Sequence, residues 1–356
     1  MLDELINAKD FAERVKYSGD TLSADPSFKT QNDEIDNYFS LNSMLVTPTV
    51  TPIIANSIEK VIHRLQIPKS SVKAYVYASP EIQAECYAGN DTDCVIRLSS
   101  GLIDILENEE IEFVIGHELG HFLYDHGLAI KSNQNDSLEF LIQKRAQEVS
   151  ADRIGLLASE SLDVSIRAMM KTISGLTSKY LNFDVAAFLS QLSNTSNYKS
   201  QINTNSSHPS MLIRCRALLW FSMSETFKAN KKNYQPSEIN NLNNKIQKDI
   251  DKFVDSVARD KIKDLKRDVA IWVSASIIVE DGSFNTSEQE IFKGMFGQKT
   301  LENLKVFLSS HNNTASAKNS VIKKLESAKN DLYHAIPSSF ENEVESLEGK
   351  IKLNYN

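Results

Sequence analysis

With 356 residues, 41% of them hydrophobic, the chain is long enough for one well-filled core and a smaller second domain. Its net charge of −8 and pI near 5.5 give no basic balance to meet a phosphate backbone, so nucleic acid is not an expected partner. Three cysteines, an odd and sparse set, exclude a disulfide framework.

Residues 1–45 read as a polar, partly helical arm. Met1–Asp20 is charged and has no apolar run of the signal-peptide kind. The longest apolar stretch, Val269–Val279, is broken by Ser274 and Ser276 and is too short to cross a bilayer. The expectation is a cytoplasmic chain with no integral membrane segment. Thr51–Leu65 follows as a helix, with Ile54, Ile58, Val61, Ile62 and Leu65 on one face. Val72–Ser79 alternates Val72, Ala74, Val76 and Ala78 against Tyr75 and Tyr77, the period of a strand. Cys94–Leu98 is a second short strand, after a turn at Ala88-Gly89-Asn90-Asp91. Cys86 and Cys94 can meet across that turn and are read as a reduced pair. A small sheet with an open edge can add an extended peptide as a further strand.

Asn108–His126 reads as one amphipathic helix, capped by Asn108, with Glu109 and Glu110 at its positive end. Ile111, Val114, Ile115, Leu119, Phe122 and Leu123 form its core stripe. Inside it stands His117-Glu118-Leu119-Gly120-His121. Two histidines one turn apart point the same way and can grip one metal ion; Glu118, about 100° around the helix, can reach a water on that ion. The pattern is that of a zinc hydrolase, with two ligands and a general base on one rod.

A catalytic zinc needs a third protein ligand. A metzincin pattern would require Gly at position 124 and His at 127; the chain has Tyr124 and Gly127, so His126 does not fill that role. Glu148 and His208 remain as candidates. Glu148 lies in Gln147-Glu148-Val149-Ser150-Ala151-Asp152-Arg153-Ile154-Gly155, a second predicted helix. Asp152, one turn on, can accept the other ring N–H of a ligating histidine. Ala151 and Gly155 are small enough to admit a neighbouring helix. His208 follows the polar stretch Asn203–Ser207 and precedes Pro209, which suits the first position of a helix.

The helix H-E-L-G-H, followed by E-x-x-A-D-x-x-G, resembles the gluzincin metallopeptidases of the CAAX-prenyl-protease and HtpX type. Gly101–Glu110 is similar to the family's lead-in, and Ser207-His208-Pro209 with Arg214 to its H-P-x-x-x-x-R segment. The resemblance covers roughly residues 45–225. It implies that His117, His121 and Glu148 hold one Zn2+ per chain and that Glu118 is the base. It makes Asp152 the partner of a ligand, places His208 at the oxyanion, and has Arg214 hold the His208 segment. Two features depart from the family. Only 26 residues, Phe122–Gln147, separate His121 from Glu148, and no membrane span fits there. Gln83-Ala84 stands where the family tends to carry Asn-Ala on the strand before the metal helix.

Further on, Leu162–Leu192 is helical with a break near Asn182-Phe183-Asp184, and Pro209–Phe227 is a helix rich in Leu and Met. Asn230–Asn233 read as linker, Ile239–Leu265 as a long helix and Val269–Val279 as a buried one. The lysines around 228–232 and 261–267 are solvated faces. Asp281-Gly282 makes a turn, and Thr286 or Ser287 caps the next helix, Ser287 forming a capping box with Glu290. A calcium loop from Asp281 fails, with Thr286 at its sixth position and Phe292 at its twelfth. Asp281-Gly282 followed by Glu288 is similar to the small helical TerB-like domains.

The expected fold is α+β and mostly helical: a zincin-like catalytic domain with a small β-sheet beside the metal helix, plus an all-α C-terminal domain. The divisions are an arm (1–45), a zinc metallopeptidase domain (46–225), a linker and long helix (226–268) and a helical, TerB-like domain (269–356). The expected function is zinc-dependent endopeptidase action on protein or peptide substrates, with a partner protein meeting the C-terminal domain. The alternative is a non-cleaving, chaperone-like binding module on a protease fold.

Overall fold

The computed structural model describes residues 38–88, 94–124, 126, 137–194, 210–224, 227, 236–250, 256–280, 282 and 284–355. Most of the predicted arm, the turn after Ala88, the polar stretch around Lys131, the Asn230–Asn233 linker and His208 lie outside them. The described residues sort into two compact units, one within 38–126 and 142–250, the other within 137–141 and 256–355. The fold is α+β and mostly helical, as the sequence patterns required.

In the first unit a four-stranded sheet has the order β1-β2-β4-β3, from β1 (Met44–Leu45), β2 (Val72–Tyr77), β3 (Ala84–Ala88) and β4 (Cys94–Ser99). The two expected strands, β2 and β4, are neighbours, and β3, which the sequence patterns did not include, lies between them along the chain. β2 runs parallel to β4, with Val72 opposite Cys94, and β3 returns antiparallel along β4, with Ala84 opposite Leu98. That leaves β3 at the edge. Strand alternation splits the faces. Ala74, Cys94, Ile96 and Leu98 enter the main core, while Tyr75 and Val95 face Phe39 on the other side.

Helix α1 (Pro52–Arg64) buries Ile54, Val61 and Ile62, as its period predicted. α2 (Ser100–Ile105) is capped by the Ser99 hydroxyl, which accepts from the Leu102 N–H. α3 (Asn108–Leu123) is the metal helix. Its cap is Glu107 rather than Asn108: the Glu107 N–H donates to Glu110 Oε2 (2.8 Å) within a capping box. It also stops at Leu123, short of His126. α3 is buried on nearly every side, so its acids need partners. Glu110 meets Lys171 Nζ at 2.6 Å, both out of solvent, and Glu112 meets Arg64 Nη1 at 2.5 Å.

α4 (Leu138–Ser159) carries Glu148 and Asp152. Its first turn belongs with the second unit, where Glu139 accepts from the Ser338 N–H and the Ser339 hydroxyl. α5 (Leu162–Ser174) ends on Gly175, whose φ of 70° is left-handed and suits a residue without Cβ. α6 (Val185–Asn194) follows, so the break expected near residue 183 begins at 175. α7 (Met211–Ser222) supplies Arg214. α8 (Pro236–Ile250) completes the first unit.

Apart from that first turn of α4, the described residues of the second unit are α9 (Ser256–Ile278), α10 (Thr286–Phe296), α11 (Gln298–Ser309), α12 (Thr314–Ala335), α13 (Phe340–Tyr355) and their joints. The separate helix expected at Val269–Val279 is instead the second half of α9, because no glycine or proline interrupts the run from Ser256. α10 is capped ahead of the expected Thr286 or Ser287, by a box of Asn285 and Glu288 two residues before the expected box of Ser287 and Glu290. Asn outcompetes the Thr and Ser behind it because its short amide reaches the N3 N–H.

Candidate metal centre

His117 and His121 leave α3 one turn apart, and their Nε2 atoms stand 3.2 Å from each other. Glu148 on α4 brings Oε2 to 3.5 Å from His117 Nε2 and Oε1 to 3.5 Å from His121 Nε2. One ligand atom from each of the three lies within 4.8 Å of the others. Ligands held at about 2.0–2.1 Å in a tetrahedron stand about 3.3–3.4 Å apart. The donor set therefore fits one small divalent cation.

Close helix packing makes this convergence possible. A Cβ on Gly120 would lie 2.9 Å from the Ala151 Cα, and one on Gly116 would lie 3.1 Å from the Gly155 Cα. The small residues flagged on the second helix thus face small residues on the first. They let the backbones approach until Glu148 reaches both imidazoles.

Each ligand is held from behind. Asp152 Oδ1 accepts from His117 Nδ1 at 3.0 Å, which fixes the proton on that nitrogen and turns Nε2 outward. Arg214 donates through Nε (2.8 Å) and Nη2 (2.6 Å) to Asp152, and its Nη1 sits 2.9 Å from Glu148 Oε2. Arg214 was expected to brace the segment around His208; in the described residues it braces the two carboxylates.

The third support escaped the sequence. His126 Nδ1 lies 2.9 Å from His121 Nδ1, and His126 is buried. One of the two nitrogens must carry the proton. With the proton on His121, its Nε2 lone pair is free for a cation, and His126 accepts. The signal was unreadable by helical spacing because α3 has ended. The His126 N–H instead donates to the His121 carbonyl (2.9 Å), a wide turn that folds the imidazole back over the helix end. Tyr124 stacks on it at 5.4 Å.

The electrostatics separate the two candidate ligand histidines. Burial pulls the His117 pKa down, but the Asp152 bond and charge, with Glu148, carry it above the ordinary value. Burial, then His117 and His126, hold the His121 pKa well below the usual range. Burial, aided by Glu148, pushes the Glu118 carboxyl up to about 7 against the pull of His117 and Arg214. Asp152 resists burial through Arg214 and His117 and falls to about 2. Glu118 and the three candidate ligands line one cleft of about 330 Å³, with Ile82 and Ala84 of the β3 approach on its wall. The arrangement can hold a cation and exchange a proton near neutrality beside it.

Comparison with known proteins agrees with this geometry. Residues 48–143 match the model of peptidase family M48. The chain is 26% identical over 185 residues to the plastoglobule-localized metallopeptidase 48, chloroplastic, of Arabidopsis thaliana, which covers 44% of this chain and 53% of that protein. It is 44% identical over 54 residues to the metalloprotease YcaL of Escherichia coli strain K12, covering 15% of this chain and 20% of YcaL. The chain thus spans about half the length of the first relative and a fifth of the second. No solved structure matches. Among the described residues, no helix is long and apolar enough to cross a membrane.

Proposed function

We propose that this chain is a zinc-dependent endopeptidase, with His117, His121 and Glu148 as the metal ligands and Glu118 as the general base. The supporting observation is the convergence of three ligand atoms within 4.8 Å in the cleft that also holds Glu118. The match to peptidase family M48 and the metallopeptidase names of the relatives point the same way. Zinc is the cation that two imidazoles and one carboxylate suit best, and when bound it supplies Lewis-acid polarisation of a carbonyl and acidification of water.

The chain's own residues then divide the work. Asp152 and His126 keep the imidazoles in register, and Arg214 fixes the Glu148 carboxylate. Glu118 takes a proton from the water that attacks the scissile carbonyl and returns it to the departing amine nitrogen. His208, beyond the described residues, is assigned to the oxyanion by resemblance. β3 is an edge strand whose approach lines the cleft, so an extended polypeptide can pair with its backbone there. That favours a polypeptide over a small-molecule substrate. The all-helical part of the second unit is read as the surface for a partner protein, and the cytoplasm as the compartment.

The test is Glu118→Gln. The variant should retain zinc by elemental analysis while losing cleavage of casein and of peptides. Wild-type cleavage should vanish with a chelator and return with zinc. Undiminished proteolysis by Glu118→Gln would remove the base from this reading.

A further inference from the structure

Outside the metal centre, one pair of reactive side chains has no role in the chemistry above. Cys86 on β3 and Cys94 on β4 are free thiols with their Sγ atoms 3.1 Å apart. They sit diagonally on the sheet face turned to the main core: Cys86 is opposite Ile96, and Ala88 is opposite Cys94. Only seven residues, 87–93, separate them along the chain. Cys215, the third thiol, is buried beside the Met169 sulfur.

The two thiols differ in access. Cys86 is half-buried, while Cys94 is out of solvent. The hydrogen bond to Cys94 and burial hold the Cys86 thiol well above the ordinary range. Cys86 is therefore a slow nucleophile, kept as a thiol until an oxidant of adequate strength is present.

We propose that Cys86 and Cys94 are a redox modification site, closed to an intramolecular disulfide by low-molecular-weight disulfides of the glutathione kind. The Cys86 thiolate attacks one sulfur of the small disulfide, forms a mixed disulfide and expels one small thiolate. The Cys94 thiolate then attacks the Cys86 sulfur, forms the Cys86–Cys94 bond and expels the second small molecule as thiolate. The protein gives up two electrons and two protons; the small disulfide is reduced to two thiols. The product ties the edge strand β3 to β4, on the strand that flanks the cleft. Because the bond closes a short loop within an existing pairing, it stiffens the edge without rebuilding it.

The test counts thiols and does not depend on peptidase activity. Full-length reduced protein is incubated with oxidised glutathione, quenched with acid, unfolded and titrated. Reduced protein should show three thiols and oxidised protein one, with a proteolytic map that joins the Cys86 and Cys94 peptides. The melting temperature of the oxidised form should rise by about 5 °C. Cys94→Ser should stop at the mixed disulfide and retain glutathione on Cys86. Cys86→Ser should take up none, since Cys94 is out of reach. Cys215→Ser should still close the bond. The proposal is overturned if wild type keeps three thiols, if glutathione stays on wild-type Cys86, or if the cross-link involves Cys215 or a second molecule. The wild-type thiol count decides the matter even where a variant fails to fold.

Discussion

The two candidate ligand histidines share a helix but not a chemical setting. His117 leans on an anion, Asp152, itself clamped by Arg214. His121 leans on a second imidazole, His126. A carboxylate acceptor raises ligand basicity more than a ring nitrogen does, so the two contacts serve different ends. Asp152 strengthens the ligand, and His126 chiefly aims it. Replacing His126 with Ala should weaken metal binding about 10–100-fold, within the range for such outer partners. His126→Asn, which can still accept through its amide oxygen, should recover part of that loss. Competition against a colorimetric chelator measures both. Equal affinity in wild type and His126→Ala would show that α3 alone orients His121.

At the scale of the elements, the site depends on how closely α3 and α4 cross. Gly120→Ala places a methyl 2.9 Å from the Ala151 backbone, and backbone cannot swing aside as a flexible side chain can. The helices must part, and Glu148 moves with α4. The expected result is a stability loss of about 1–3 kcal/mol, as for overpacking, together with weaker metal binding. A variant that loses stability but binds metal normally would uncouple the two. The metal helix also depends on buried ion pairs. Lys171→Met would strip buried Glu110 of its shortest cationic contact, leaving it Arg167 Nε at 3.4 Å and the Glu107 N–H, and should cost about 3 kcal/mol, the low end for a broken buried pair. Replacing both partners with apolar residues should restore most of it, which urea titration of the single and double variants would show.

At the scale of the whole molecule, the titrations of Glu118 and Asp152 act on folding with opposite signs. Glu118 is raised to about 7. Between its unfolded value near 4.5 and 7 the folded chain holds a proton that the unfolded chain has released. Its contribution is full at low pH and lost as pH rises through 7. Asp152 is lowered to about 2 from 3.8, so its contribution is full above 3.8 and lost as pH falls through 2. In chelator-treated protein Glu118 should therefore contribute a loss on the order of 3 kcal/mol between about pH 5 and pH 8, on top of what His117 and His121 contribute, and Glu118→Gln should remove that part of the slope. The measurement is the urea midpoint of both proteins, stripped of metal, across that range. Parallel curves would mean that Glu118 does not titrate as its burial dictates.

The sequence by itself determined what the helical period can carry. His117, Glu118 and His121 are tied by one turn of backbone, and their relation holds in any context that keeps α3 helical. Glu148, Asp152, Ala151 and Gly155 were legible for the same reason, as one face of a second helix. What the sequence left open was every relation that crosses between elements or follows the end of one. The order β1-β2-β4-β3, with β3 at an edge, was set by long-range burial and not by local alternation. Arg214 was placed by the tertiary structure on Glu148 and Asp152, two buried carboxylates that require a cation. His126 found its role only because the chain turns back after Leu123, where helical spacing no longer applies. The caps at Glu107 and Asn285, each ahead of its expected place, show the same limit: helix ends are decided by which side chain reaches an unpaired N–H in three dimensions.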